Sequence, residues 1–224
     1  SRGALVAADT VGTGDGGRLD WQVGQLAITD SRVDLQTRYL GAGGDLNIVA
    51  GSMAVTNSTV SASTNGPGRG GSLRIEAGAL KLSNSAISAD TADMGRGGDV
   101  LIDAGLLDLV DSTISASSTL PYEGPAGLAG DIKLSADLLR LRDSRINTSS
   151  VAADGGSIDI QAIALVYLLD SEITTSVGTG NGGGGNISID PEFIVLNRGR
   201  IVAQAYGGPG GNILLVADNF LQTP

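Results

Sequence analysis

The sequence predicts an all-β fold, a right-handed parallel β-helix with three short strands in each coil of about 27 residues. Three observations predict it. Glycine pairs recur at a near-constant interval: Gly16-Gly17, Gly43-Gly44, Gly70-Gly71 and Gly97-Gly98 stand 27 residues apart, and Ala129-Gly130, Gly155-Gly156, Gly184-Gly185 and Gly210-Gly211 continue the series at spacings of 32, 26, 29 and 26. Within every interval, apolar residues alternate with polar ones at matched offsets. An Asn-Ser or Asp-Ser pair precedes the last apolar position of nearly every interval. Self-similarity at such a period is the mark of a solenoid, in which each repeat is one coil that cannot bury its apolar face alone.

The first strand of each coil follows the glycine pair. Its inward ladders are Leu19, Leu46, Leu73, Val100, Ile132, Ile158, Ile187 and Ile213, then Trp21, Ile48, Ile75, Ile102, Leu134, Ile160, Ile189 and Leu215. The second strand supplies Leu26/Ile28, Met53/Val55, Leu80/Leu82, Leu107/Leu109, Leu139/Leu141 and Ile194/Leu196. The sixth repeat keeps this pattern with one extra residue near positions 164–168, which predicts a β-bulge. The third strand carries Val33, Val60, Ile87, Ile114, Ile146, Ile173 and Ile201. A period of two, with polar residues such as Asn47, Arg74 and Lys133 between the apolar ones, is strand geometry with one buried face. No 3.6-residue period appears, and glycine is too frequent for helix interiors.

The corners are equally legible. Asp30-Ser31, Asn57-Ser58, Asn84-Ser85, Asp111-Ser112, Asp143-Ser144 and Asp170-Ser171 precede the third strand. Asp and Asn tolerate the left-handed backbone of a tight bend and hydrogen-bond nearby backbone. The glycine pair is expected to supply positive φ at the corner before the first strand. Length varies mainly in one place, between the third strand and the next glycine pair, as in "SSTLPYEGPAGL" (117–128) and "SVGTGNGGG" (176–184). Coils about 4.8 Å apart give a rod on the order of 35 Å long. Each buried aliphatic side chain contributes roughly 1.5–3 kcal/mol before entropy is subtracted.

Composition agrees and excludes several functions. Among 224 residues there are 35 glycines, no cysteine, no histidine and only 3% aromatics, so the core must be narrow and aliphatic. The net charge of −10 disfavours nucleic acid, whose phosphates require clustered Lys and Arg. It equally disfavours an anionic membrane surface. Residues 1–224 read as a single β-helix segment of seven full coils with partial coils at both ends, cut from a longer chain. The basis is that "SRGALVA" aligns with "NRGRIVA" (197–203), a corner followed by a third strand.

The repeat, Gly-Gly-Asn/Asp-Ile-x-Ile, then Ala, then Leu-x-Leu, then Asn/Asp-Ser-x-Ile-x-Ala, resembles the filamentous-haemagglutinin-like exoproteins of two-partner secretion. The stretch "PEFIVLNRGRIVAQAYGGPGGNILLVADNFLQ" (191–222) is similar to a segment that recurs late in such chains. The resemblance covers essentially the whole sequence. It implies export through a dedicated outer-membrane transporter, folding outside the cell into a long rod, and a role in adhesion, aggregation or biofilm formation. The asparagine-proline motifs of the family's secretion domain are missing, so the resemblance places the segment in the shaft.

No constellation for catalysis, cofactor or metal stands out, and the expectation is that the segment is not an enzyme. Without His or Cys, the usual bases and nucleophiles reduce to carboxylates, Ser and Lys. Outward carboxylates read as scattered. The third-strand outer ladder, Asp34, Ser61, Ser88, Ser115, Asn147, Thr174 and Val202, reads as a mild hydroxyl stripe. "GTGDGGRLD" (12–20) faintly echoes a calcium-binding nonapeptide but occurs once. Of the sequons at Asn57, Asn147 and Asn186, Asn57 reads as a turn residue, and such short motifs arise by chance in a Ser/Thr-rich chain. Contact with a host-cell or matrix surface is therefore expected from the irregular corner loops, at Tyr122, Glu123 and Asn181. A self-assembling fibre subunit stacked end to end is the alternative expectation; a polysaccharide-active β-helical enzyme is a weaker one.

Overall fold

The computed structural model describes residues 3–119 and 127–223. Within them the chain forms eighteen strands and no helix, and it winds as a β-solenoid of about eight turns with roughly 27 residues each. The first coil runs through β1 (Leu5–Ala7) and β2 (Arg18–Thr29) into β3 (Arg32–Asp34). The pattern repeats through β4 (Asp45–Thr56), β5 (Thr59–Ser61), β6 (Leu73–Ser83), β7 (Ala86–Ser88), β8 (Val100–Val110), β9 (Thr113–Ser115), β10 (Ile132–Arg142) and β11 (Arg145–Ser150). It ends with β12 (Ile158–Leu169), β13 (Glu172–Val177), β14 (Ile187–Asp190), β15 (Phe193–Asn197), β16 (Arg200–Ala205), β17 (Ile213–Leu215) and β18 (Asn219–Thr223).

All pairing is parallel and in register from coil to coil. One sheet orders β1-β3-β5-β7-β9-β11-β13-β16; the other orders β17-β14-β12-β10-β8-β6-β4-β2, with β15 and β18 continuing its second half. In six coils the first and second expected strands run together as one bent strand of 11 or 12 residues. They separate only where Pro191 stands between β14 and β15, and again between β17 and β18. Proline has no N–H to give the ladder, so the pairing lapses there. At the bend in the joined strands the pairing skips Gly24, Gly51, Gly78 and Gly105. The extra residue of the sixth coil lies at Ile163–Ala164, opposite Asp137, at the start of the stretch that the sequence indicates.

The expected inward ladders are the core of the interior coils; Leu19 and Trp21 of the first coil are half-buried, and Ile213 and Leu215 of the last are exposed. Leu46, Ile48, Leu73, Ile75, Ile87, Ile102, Leu107, Leu109, Ile114, Ile146 and Ile173 are all fully buried. A fourth inward ladder, Thr10–Thr37–Thr64–Thr91–Ser118–Ser150, links coils through isolated parallel bridges after the third strand. Its hydroxyls reach backbone carbonyls, as when Thr37 Oγ1 donates to Ala42 O at 2.6 Å, so these polar groups are buried with partners.

Both corners behave as ladders. Asp30, Asn57, Asn84, Asp111, Asp143, Asp170 and Arg198 take φ between 47° and 51°. Behind them each serine hydroxyl donates two residues back and accepts the N–H of the preceding coil's serine. Ser58 Oγ donates to Thr56 O at 2.6 Å and accepts from Ser31 N at 3.0 Å. One hydroxyl thereby satisfies two backbone groups that the bend would leave orphaned. The glycine-pair corner differs from expectation. Among the described glycines only Gly180 has a positive φ, 72°. The pairs are required by close approach: a Cβ on Gly71 would sit 1.9 Å from Gly44 O, and one on Gly98 2.0 Å from Gly71 O. Only glycine allows successive backbones to come so near.

Candidate functional site

Of the three residues singled out as contacts, Tyr122 and Glu123 lie outside the described residues. Asn181 is exposed in the turn after β13, following Gly180. The loop is anchored from the preceding coil, because Asp154 Oδ1 accepts Gly183 N at 2.8 Å.

The hydroxyl stripe is not a free outer surface. Asp34, Ser61 and Ser115 are buried. Residues two positions further on, such as Ser63, Asp90 and Ser117, lie across them and bond to them. Ser61 and Ser63 hydroxyls meet at 2.9 Å, Ser115 Oγ donates to Asp90 Oδ1 at 2.7 Å, and Asn147 Nδ2 donates to Ser117 Oγ at 2.9 Å. Burial raises the Asp90 carboxyl above the ordinary range, against the hydrogen bonds from Ser115 and the Ser117 N–H. Burial likewise raises Asp34, opposed by Arg32, whose guanidinium lies 2.7 Å away, while Asp9 adds to the rise. Asp34 Oδ1 has no hydrogen-bond partner. This stripe is a polar seam that joins coils.

A groove of about 580 Å³ follows the Asx-Ser corner through residues 111–113, 143–145, 170–172, Arg198 and Arg200. Its charges are largely internally paired. Arg198 grips Asp170 with two bonds of 2.6 Å, and Arg145 lies 3.4 Å from Glu172. The Arg198 bond holds Asp170 below the usual carboxylate range and raises Arg198 in turn. A smaller recess of about 230 Å³ brings together Asp103, Asp137 and Asp190, with Gln161 and Ile163 beside them. The sequence reading leaves these carboxylates scattered, because their juxtaposition depends on the skipped pairing at the bend. No group of three His, Cys, Asp or Glu among the described residues is placed to hold a metal ion. The carboxylates of the calcium-like stretch are engaged otherwise: Asp15 accepts Ala42 N at 2.8 Å and Asp20 pairs with Arg18.

The feature that sequence reasoning missed is apolar and faces outward. Leu106, Leu138, Leu165 and Phe193 stand in register on four successive coils, on the outer side of the second strand. Tyr167 and Val195 form a parallel column beside them. Leu138 retains 36% of its surface and Ile163, at the bulge, 74%. Leu106, Leu165 and Phe193 are half-buried. The signal was present in the sequence: the same offset holds Gln25, Ser52 and Ala79 in earlier coils.

Fold and surface together define a parallel β-solenoid protein with a narrow aliphatic core and two chemically different outer halves. Comparison of the chain with protein-family models, with curated proteins and with solved structures finds no match.

Proposed function

We propose that this chain is part of the shaft of a secreted, surface-associated exoprotein of adhesin type, exported through an outer-membrane transporter of the two-partner kind and used for contact with a host-cell or matrix surface. The observation that carries the reading is the in-register apolar column of Leu106, Leu138, Leu165 and Phe193 on the outer side of the second strand, in which Leu138 is exposed and the other three are half-buried. Apolar surface that is continuous from coil to coil marks interaction sites in soluble proteins. Tyr122, Glu123 and Asn181 are proposed as secondary contacts, on the irregular lengths of their corner loops. The coil-to-coil registry supports the mechanical role, because load along a solenoid is shared among parallel backbone bonds and ladders of identical side chains.

The test is retention of folded protein on cells or matrix-coated surfaces. Leu138→Ser is expected to lose most retention while circular dichroism and urea midpoint stay unchanged; alanine substitutions across 176–184 should lose less. Unchanged retention in both would sink the reading. Cell fractionation tests the location: antibody against this chain is expected to find a band well above 22.4 kDa at the surface or in the medium. A purely cytoplasmic signal would overturn the export reading.

A further inference from the structure

The chain contains four Asx-Gly bonds: Asp15-Gly16, Asn65-Gly66, Asp154-Gly155 and Asn181-Gly182. Such bonds are chemically labile when the glycine nitrogen can reach the side-chain carbonyl carbon, since glycine has no Cβ to obstruct the approach. Three of the four glycine N–H groups are tied down. Gly16 N donates to Ala42 O at 2.8 Å, Gly155 N to Gly183 O at 3.0 Å, and Gly66 N to Thr64 Oγ1 at 3.2 Å. Gly66 is also buried, with its Cβ position 1.7 Å from Tyr39 O, and Gly182 approaches the preceding coil in a similar way, its Cβ position 2.4 Å from Ala153 O. The fourth nitrogen differs in its bonding. Gly182 N faces Thr179 O across the turn at 180–181 without forming a bond as short or straight as the other three, and Asn181, like Asn65, is exposed. Gly180 at positive φ precedes it and a run of glycines to Gly185 follows, between a bond from Thr179 N to Val151 O and one from Gly183 N to Asp154 Oδ1.

We propose that Asn181 is a site of spontaneous covalent modification, at which the folded chain converts an amide to aspartate and isoaspartate while its other Asx-Gly bonds are protected. The Gly182 amide nitrogen attacks Asn181 Cγ. A C–N bond forms, the bond from Cγ to the side-chain nitrogen breaks, and ammonia departs with the proton lost from the Gly182 nitrogen. Water then opens the five-membered imide. Opening at Cγ gives aspartate; opening at the backbone carbonyl gives isoaspartate, in which the main chain runs through the side-chain methylene.

The neighbouring coil sets the consequence. A Cβ on Gly208 would lie 2.5 Å from Asn181 O, so the next coil's corner rests directly on this backbone. An isoaspartate there lengthens the main chain and displaces Gly207 and Gly208. Either product adds a negative charge beside Asp154, on a chain already at −10. The modification thus alters one of the corner loops assigned to surface contact, but the chemistry stands whether or not that assignment holds.

The experiment is peptide mapping of the purified folded chain during incubation at mildly alkaline pH, with an isoaspartyl-specific assay, beside the same chain in concentrated urea. In the folded chain, conversion at Asn181 is expected to exceed that at Asn65 by about tenfold or more, because Asn65 reacts only after local opening. In urea the two Asn-Gly bonds should convert at comparable rates. Asn181→Gln should abolish most of the folded-state signal without changing the urea midpoint. Equal rates at the two sites in the folded chain, or slower conversion at Asn181 folded than in urea to the same extent as at Asn65, would overturn the proposal.

Discussion

The outer face of the second strand changes character midway along the rod. At one offset it carries Gln25, Ser52 and Ala79 over the first three coils and Leu106, Leu138, Leu165 and Phe193 over the next four; the neighbouring outward column passes from Ala54 and Lys81 through Asp108 and Arg140 to Tyr167 and Val195. The inner face does not change. Val55, Leu82, Leu109, Leu141 and Leu168 occupy equivalent positions and are all fully buried. Inside, every residue must match the coil above and below at native packing density, so the choice of side chain is narrow. Outside, the same β-geometry accepts Ser or Phe at little cost. The difference shows where this molecule is free to vary, and hence where a contact function can be placed without unmaking the fold.

The sharpest way to break the comparison is at the glycine corner, which both halves share. Gly71→Ala puts a Cβ where Gly44 O already is, and upwards of ~3 kcal/mol of destabilisation is expected. Gly24→Ala meets nothing within 4 Å and should stay within about 0.5 kcal/mol of the parent in urea unfolding. Next in size is the inside-outside contrast itself. Ile75→Ala, in a fully buried ladder, should cost about 2–5 kcal/mol, whereas Leu138→Ser should change stability by no more than about 0.5 kcal/mol. If Leu138→Ser proved as costly as Ile75→Ala, the outer stripe would be a folding element and its contact role would fall.

Smaller effects sharpen the electrostatic side. Asp90 sits in the polar seam with its carboxyl raised by burial. A raised group contributes stability below the ordinary carboxylate range and loses it as pH rises through the raised value. Asp90→Asn keeps an acceptor for Ser115 and Ser117, so it should be modestly more stable than the parent at neutral pH, with the gap closing on acidification. Melting curves across pH check this, and a gap of opposite sign would refute it. The smallest effect belongs to Arg198 and Asp170. Asp170 is lowered by its bond to Arg198, so its contribution is present above the ordinary carboxylate range and lost as pH falls through the lowered value. Arg198→Ala should therefore destabilise slightly at neutral pH and not at all in strong acid; exposure and screening keep this term small.

Much of the architecture was legible because a solenoid writes its contacts into its period. The ladders through Ile48, Leu82 and Ile114, and the corners at Asn57, Asn84 and Asp111, are each a column in the sequence and a column in space. The threonine ladder from Thr10 to Ser150, which the structure reveals, follows the same period and shows that polar residues also keep register. The candidate surface was harder to see. Loop irregularity pointed to Tyr122, Glu123 and Asn181, whereas the apolar stripe occupies regular positions whose outward direction emerges only from the alternation beside the skipped glycines. Asp34 and Ser115 were misjudged for a related reason: an outward offset does not mean exposure when the chain folds its next residues across it.

The sequence by itself therefore determined the coil, its length, its core and its left-handed corners, because local propensity and a fixed period specify nearest-neighbour stacking. Only the tertiary structure decided the rest: that the first two strands join through a bend, that glycine pairs serve close approach rather than positive φ, and which outward columns are exposed. Those outcomes depend on how successive coils cover one another, and on inter-coil hydrogen bonds such as the one that Gly16 N donates to Ala42 O. Such contacts are set by three-dimensional placement between residues some 27 apart, which composition and local pattern do not encode.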